Sequence, residues 1–442
     1  MWSYYPELLA RPVPRYTSYP TAVEFTEAIG PAEYARALDE VESATPISLY
    51  IHIPFCEQIC WYCGCNTGAA NRKQRLSDYL AALGSELALV AKRLGGRGRI
   101  QRIAFGGGSP NAIAPIDFVR LLDRTMTVFD VSRPDISIEI DPRGFSPEWA
   151  LVLAASNVTR VSLGVQTFAP HIQQAIGRVQ PLADIERAVA GLRLRGVDAI
   201  NFDLMFGLPG QSFDDLDATL DETIRLAPSR IALFGYAHLP EMLPRQRRID
   251  ASNLPDMRLR FEQAWRGYER LTEAGYIPVG FDHFARPGDP LADAAAQGRV
   301  NRNFQGFTED DAPILLGFGA SAISKFPGLI VQNEKRAGLY RDLVRENRLA
   351  AARGVELDEE DRECAVIIRD LLCRGRATLG PRWLKPARRE MAPFVERALV
   401  TWDGDDLVLL DDARPYSRLI AERFDRRRGS ISPVERAPAL TA

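Results

Sequence analysis

From residue 46 onward the chain alternates between β-branched or apolar runs and long amphipathic helical patterns, and no other feature restricts its fold as much. The runs "ISLYIHI", "RIQRIAFG", "DISIEID", "TRVSLGVQ", "DAINFDLMFG" and "RIALFGYAH" read as strands, with "IPVGFDHFA" as a seventh. Stretches such as "KQRLSDYLAALGSELALVAKRL", "ADIERAVAGLRLRG" and "DMRLRFEQAWRGYERLTEAG" read as the helices between them. Repeated strand, helix, strand order implies a parallel sheet with right-handed crossovers, either doubly wound or a full or partial (β/α) barrel. The unusual residues decide between these. Cys56, Gly106 to Gly108, Glu139, Gln166, Asp203, His238 and His283 fall at the C-terminal end of one strand after another. An open sheet gathers its site at one switch point, whereas a barrel collects contributions from every strand at one mouth. The expectation is an α/β fold with a partial (β/α) barrel over residues 46–330. An N-terminal arm, 1–45, precedes it, and a smaller, mainly helical C-terminal domain, 331–442, follows. In that last part "ALVTWDGDDLVLL" predicts a hairpin turning at Asp403 to Asp405, and "RFDRRRG" a solvated tail.

With 442 residues, 46% of them hydrophobic, the chain can bury a large core. A net charge of -3 leaves no global footprint for nucleic acid or a membrane surface, so an anionic ligand has to be met locally. The start, "MWSYYPELLARPVPRYTSYP", has no basic segment followed by an unbroken apolar run, and no window reaches the roughly eighteen apolar residues of a spanning helix. A cytoplasmic monomer without nucleic-acid or membrane partners is expected.

Four of the six cysteines lie within ten residues, in "HIPFCEQICWYCGCN". In a reducing compartment such a cluster reads as a metal or redox site, and Cys364 and Cys373, in a helical pattern, as buried structural thiols. Cys56, Cys60 and Cys63 follow C-x3-C-x2-C, with Cys65 next. Structural zinc usually pairs two knuckles, and no second one exists here. Soft thiolates in one loop suit an iron–sulfur cluster, although spacing alone leaves open which three of the four bind.

C-x3-C-x2-C directly after the first strand of a (β/α) pattern resembles the radical S-adenosylmethionine (SAM) superfamily. Within it, "YIHIPFC", "CGCN", "RYTSYPTA", "GGGSP", "SIEIDPR", "SLGVQ", "NFDLMFGLPGQ", "YAHLP", "GFDHFARP" and "NRNFQG" resemble the oxygen-independent coproporphyrinogen III oxidases over nearly the whole chain. The resemblance implies a barrel of the radical SAM type and a [4Fe-4S] cluster on Cys56, Cys60 and Cys63, with SAM on the fourth iron and Cys65 not a ligand. It places Tyr50, Gly107, Glu139 and Arg178 at that SAM. A second SAM falls to Tyr62, Gly108, Ser109, Gln166, Asp203, Ala237 and Ile323. Ser109 replaces the usual threonine, Tyr62 a phenylalanine, and Asn111 also departs from the pattern; the arginine-rich C-terminal end departs further.

The implied chemistry is anaerobic decarboxylation of two propionates of coproporphyrinogen III to vinyl groups, giving protoporphyrinogen IX. It uses a 5′-deoxyadenosyl radical from SAM, a reductant protein and an electron acceptor. Tyr50 and His52, two residues apart on one strand, share a face, on which His52 either contacts the cluster region or fills the barrel interior. A tetracarboxylate with an apolar ring calls for aromatic walls and guanidinium clamps, for which Arg15, Tyr16, Arg286 and Arg302 are candidates. His238 and His283 are weaker candidates at strand ends, and His171 reads as a helix-surface residue. The alternatives are a haem-trafficking protein on this scaffold and a related radical SAM methyltransferase or haem-degrading enzyme. The arm, Cys63-Gly64-Cys65, "YAHLP" and "NRNFQG" favour the oxidase.

Overall fold

In a computed structural model, residues 1–11 and 13–428 are described. Among them the main sheet has twelve strands: β1 Pro46–Ile53, β2 Arg99–Gly107, β3 Asp135–Ile140, β4 Arg160–Gln166, β5 Ala199–Phe206, β6 Arg230–Gly235, β7 Ile277–Val279, β8 His283–Ala285, β9 Ile314–Phe318, β10 Ile323–Phe326, β11 Leu329–Asn333 and β12 Ala351–Glu356. Their order is β12-β11-β10-β9-β1-β2-β3-β4-β5-β6-β8-β7. The run from β9 through β1 to β6 is parallel, and the strands outside it are antiparallel. The sheet has two free ends, as a partial barrel has.

Helices cover the outer face because their apolar stripes match it. In Lys73–Leu94, Tyr79, Leu83, Leu87 and Val90 recur every three or four residues and are buried against the strands. Helix Met257–Glu273 starts where the Asp256 side chain accepts from the Leu259 N–H, and Glu359–Arg374 ends at Gly375 in the left-handed conformation. No helix of the described residues is long and apolar enough to cross a membrane.

The outer strands of the sheet differ from expectation. The segment "IPVGFDHFA" is not one parallel strand but two short ones, β7 and β8, folded antiparallel across Gly280. The seventh parallel strand is β9, paired with β1 at Ile47↔Ile314 through Ile51↔Phe318. Pairing also continues beyond residue 330: β11 spans that position, and β12 adds to it. The helical unit begins after β12, at Glu359.

The "RFDRRRG" run is not a solvated tail over its described part. Arg426 Nε and Arg427 Nη2 donate to the fully buried Asp361 at 2.8 and 2.5 Å, and Arg426 also meets Asp358 and Glu360. These acids lie at the N-terminal end of helix Glu359–Arg374, and guanidiniums satisfy them there. The arm packs on the same unit, with Trp2, Val13, Tyr16 and Tyr19 sharing a core with Ile367, Leu371 and Phe424. The expected hairpin is present as Val400–Asp403 and Asp406–Leu409, Cys364 and Cys373 are buried, and His171 is exposed.

Candidate active site

Strand β1 delivers the cysteine loop to the mouth. The loop is closed at its base, where Phe55–Cys56 pairs with Gly68–Ala69 and the Ala70 N–H donates to the Cys56 carbonyl at 2.9 Å. The Trp61 N–H donates to the Ile176 carbonyl at 3.1 Å, and its ring lies under Arg248 at 4.3 Å. Buried Gln246 donates from one amide to the carbonyls of Tyr62 at 2.9 Å and Ala237 at 3.1 Å, tying the loop to the end of β6.

Cys60 is buried, Cys56 and Cys63 are half-buried, and Cys65 is exposed. The Cys60 sulfur accepts from Arg178 at 3.2 Å and Arg143 at 3.3 Å. Burial, then neighbouring Cys63 and Cys60, push the Cys56 thiol up to about 12. Contact with Cys65 and nearby guanidiniums bring Cys63 down to about 6. Thiolates that oppose one another in a soft donor set fit a polynuclear iron–sulfur core, whose positive irons relieve the opposition. Among the described residues no group of three His, Cys, Asp or Glu side chains is placed to hold a single metal ion.

Beside the loop, Tyr50 and His52 face inward together, the Tyr50 hydroxyl 3.3 Å from His52 Nδ1. Burial lowers His52 to about 4, so it is neutral, and its Nε2 has no hydrogen-bond partner among the described residues. Tyr79 donates to the His52 carbonyl at 2.8 Å and accepts from the Ala320 N–H, fixing the ends of β1 and β9 together. At the end of β2 the Gly107 N–H donates to Glu139 at 3.1 Å and the Gly108 N–H to the Ile53 carbonyl at 2.9 Å. A Cβ on Gly108 would stand 2.6 Å from the Phe55 carbonyl oxygen, so only glycine allows this turn to lie on the cysteine loop.

Glu139 has no cation partner among the described residues. It accepts from Gly107 and, at 3.5 Å, from Gln305, and burial pushes its carboxyl up to about 7. A buried carboxylate is stabilised in its ionised form by a nearby cation. Arg178 is held by the Gly164 carbonyl at 2.6 Å and by Asp141 at 3.2 Å. Ser109 donates to Asn111 at 2.7 Å, and Asn111 bonds the Asp141 backbone, so the departure at Asn111 joins the ends of β2 and β3. Gln166 ends β4 at a bulge with φ +67°. Asp203 accepts from Ser162 and Asn201, and burial raises it. Ile323 lies across Gly317 from Tyr50 and packs with Ala22 of the arm, two strands from the others.

Other expected site residues lie elsewhere. Because β8 runs antiparallel, Arg286 follows its end at the floor, its N–H donating to the Ser229 carbonyl at 2.9 Å. His283 lines a polar cavity of about 740 Å³ that runs down from Glu139 and Asp203 to Arg102 and Arg230, and it bonds Asp282 at 2.6 Å. His238 stays beside Tyr236 at 2.8 Å. The Tyr16 hydroxyl is committed to Asp425 at 2.9 Å, away from any clamp.

A hairpin of Asn301–Asn303 and Gly306–Thr308 links the halves of the site. Phe304 meets the Tyr50 ring edge-on at 4.4 Å, Gln305 reaches Glu139, and Arg302 turns into a second cavity of about 180 Å³. That cavity has aromatic walls, Phe234, Tyr268, Phe281 and Phe304, and also receives Arg15 of the arm and Arg418 of the C-terminal unit. Sequence reasoning missed Phe304, Gln305, Gln246 and Arg418. The motif "NRNFQG" held a signal for the first two; nothing local marked Gln246 or Arg418.

Residues 50–223 match the model of the radical SAM superfamily. The chain is 41% identical over 423 residues to the oxygen-independent coproporphyrinogen III oxidase of Bradyrhizobium diazoefficiens, covering 93% of this chain and 94% of that one. It is 40% identical to the protein of that name from Pseudomonas aeruginosa, covering 93% of each. Among solved structures, coproporphyrinogen III oxidase from Escherichia coli, described as a radical SAM enzyme, superposes with a TM-score of 0.89 at 32% identity, covering 96% of this chain and 99% of that one.

Proposed function

Because the chain belongs to the oxygen-independent coproporphyrinogen III oxidase family of radical SAM enzymes, we propose that it converts two propionates of coproporphyrinogen III to vinyl groups without oxygen, giving protoporphyrinogen IX. Each propionate gives up one hydrogen atom from its β-carbon, carbon dioxide and one electron, so the reaction needs a one-electron donor and an electron acceptor besides the substrate. A [4Fe-4S] cluster and SAM follow from the family, and when bound they supply a carbon-centred radical able to take hydrogen from an unactivated carbon.

The observation that carries this reading is one hairpin touching both halves of the site: Phe304 and Gln305 on Tyr50 and Glu139, and Arg302 in the arginine and aromatic cavity. In our reading Cys56, Cys60 and Cys63 hold the cluster, with Arg178 and Arg143 donating to Cys60. Tyr50, Gly107, Glu139 and Arg178 surround one SAM. Tyr62, Gly108, Ser109, Gln166, Asp203, Ala237 and Ile323 are assigned to a second. Ser109 and Asp203, each engaged in hydrogen bonds within the protein, would serve it by shaping the wall. Tyr50 and Phe304 pack edge to face where the hairpin meets β1. Neutral His52 offers its free Nε2 without adding charge.

The haem-trafficking and methyltransferase alternatives are not favoured, since relatives aligned over nearly the full length carry the oxidase name. Anaerobically reconstituted protein, mixed with reductant, SAM and coproporphyrinogen III, is expected to yield protoporphyrinogen IX. Haem binding without SAM cleavage, or methylated product, would replace this reading.

A further inference from the structure

Two guanidiniums meet one sulfur of the cysteine loop. Cys60 Sγ accepts from Arg143 Nη2 at 3.3 Å and from Arg178 Nη1 at 3.2 Å. Both arginines are joined to one carboxylate, that of Asp141: Arg143 donates to it from Nε at 3.0 Å and Nη2 at 2.6 Å, and Arg178 from Nη2 at 3.2 Å. The side chains of Arg143, Arg178 and Asp141 are 9%, 7% and 15% exposed, so their charges act on the sulfur with little screening by water. Arg143 reaches the loop because the chain turns back after β3. In the short helical turn Pro142–Gly144 the Asp141 side chain accepts from the Arg143 N–H, and the Asp141 backbone is itself pinned by Asn111. From there Arg143 also donates to the side chain and the carbonyl of Gln58, two residues before Cys60, at 3.2 Å each. Cys63 Sγ accepts instead from an uncharged group, the Cys65 N–H, at 3.4 Å.

One-electron reduction adds a negative charge to an iron–sulfur cluster, and hydrogen bonds and charges at its sulfurs set how readily it accepts that electron. A cation that donates to a ligating sulfur stabilises the reduced form more than the oxidised one. An anion beside it does the reverse. We propose that Arg143 and Asp141 set the reduction potential of the cluster that Cys60 helps to hold, Arg143 raising it and Asp141 lowering it. This role rests on the proposed assignment of Cys56, Cys60 and Cys63 to the cluster, and it gives the "SIEIDPR" segment a part in the electron-transfer step besides its place in the wall of the site. A guanidinium stays protonated at any working pH, and Asp141, paired with two of them, stays ionised, so both signs are fixed. Arg178 is already assigned to SAM. Arg143 has no such assignment and isolates the effect.

The test is a redox titration of the anaerobically reconstituted full-length protein without SAM, the reduced cluster being followed by electron paramagnetic resonance. Arg143→Gln is expected to shift the one-electron equilibrium about tenfold toward the oxidised cluster, a fall of about 59 mV. Asp141→Asn keeps the shape and removes the charge, and its potential is expected to rise. Gln58→Glu sets a negative charge against Arg143 at an exposed position, where screening reduces the expected fall to about threefold in the same equilibrium. Arg286→Gln, the same charge change as Arg143→Gln but at the barrel floor, is the control and is expected to keep the parental potential. Parental potentials in both Arg143→Gln and Asp141→Asn, or shifts of both in one direction, as general loosening of the loop produces, overturn the proposal. Should Arg143→Gln lose its iron and acid-labile sulfide, the opposite shifts of Gln58→Glu and Asp141→Asn carry the test, and their absence overturns it equally. A parent protein that holds no iron–sulfur cluster sinks the cluster reading and the proposal with it, whereas unmoved potentials around an intact cluster overturn the proposal alone.

Discussion

Glu139 occupies an inward position on β3 with a backbone N–H and one distant amide for company, and burial sets its carboxyl at about 7 against an ordinary 4.5. A carboxyl raised in this way is half protonated near neutrality, and a cationic ligand favours the ionised form and expels the proton. SAM affinity is therefore expected to rise between about pH 6 and pH 8 and then level off, with proton release measurable by calorimetry in buffers of different ionisation heat. Glu139→Gln is expected to bind SAM about tenfold more weakly and to flatten that pH dependence. The cysteines divide by position. Cys56→Ser, Cys60→Ser and Cys63→Ser are each expected to lose most iron and acid-labile sulfide per chain, whereas Cys65→Ser, exposed at the rim, keeps them. Spacing narrowed the ligands to a set of four, and resemblance chose among them. The hydrogen bond from Gln305 to Glu139 was beyond sequence reading, because the two lie 166 positions apart.

The elements hold these residues through side chains that the strand and helix patterns do not mark. Gln246, in the short helical turn Pro244–Arg248, serves both the cysteine loop and the end of β6. Gln246→Leu leaves the Tyr62 and Ala237 carbonyls and the Leu239 N–H without their partner, at about 1–3 kcal/mol for each buried group left unpaired. The expected outcome is a lower melting temperature and faster loss of iron to a chelator, with the cluster signal initially present. Glu86 makes the same point on a helix. It accepts from the Gly319 N–H at 2.7 Å, Tyr340 at 2.6 Å and Asn333 at 2.6 Å, fastening the loop after β9 to helix Lys73–Leu94. In sequence it is one more glutamate in an amphipathic pattern, since helical periodicity reports which face is apolar and is silent on a polar group whose partners lie more than 200 residues away.

At the scale of the whole molecule, the two ends of the described chain are fastened together. Ser3 donates to Asp412 at 2.7 Å, the Tyr5 N–H to Tyr416 at 2.8 Å and Tyr16 to Asp425 at 2.9 Å, while Arg11 pairs with Glu422. Asp361 anchors the segment beyond. Burial opposes its charge, and hydrogen bonds from Arg427 and Arg426 more than offset that, holding the carboxyl below its ordinary range. A depressed carboxyl contributes stability that is present at neutral pH and lost as the pH falls toward its folded value. Arg426→Ala with Arg427→Ala strands a fully buried carboxylate, and the double variant is expected to lose about 3–5 kcal/mol of stability in denaturant titration. Its remaining stability is also expected to depend less on acid pH, because the lost pairing no longer depresses the carboxyl. The arm's rings, Trp2, Tyr16 and Tyr19, then lose part of the surface they pack against.

Read alone, the order of residues determined the α/β alternation, the parallel strands β1 to β6, the helices between them and the cysteine loop at the end of β1, because periodicity and spacing are local properties of a chain. Only the tertiary structure decided that β8 turns back and carries Arg286 to the floor, that β9 joins the sheet beside β1, and that Arg427 serves Asp361 instead of solvent. It also brought Arg15, Arg302 and Arg418 from three distant segments to the lining of one cavity. Strand direction, sheet partners and the pairing of buried charges are settled by which surfaces exclude water together, and that choice is made between segments hundreds of residues apart.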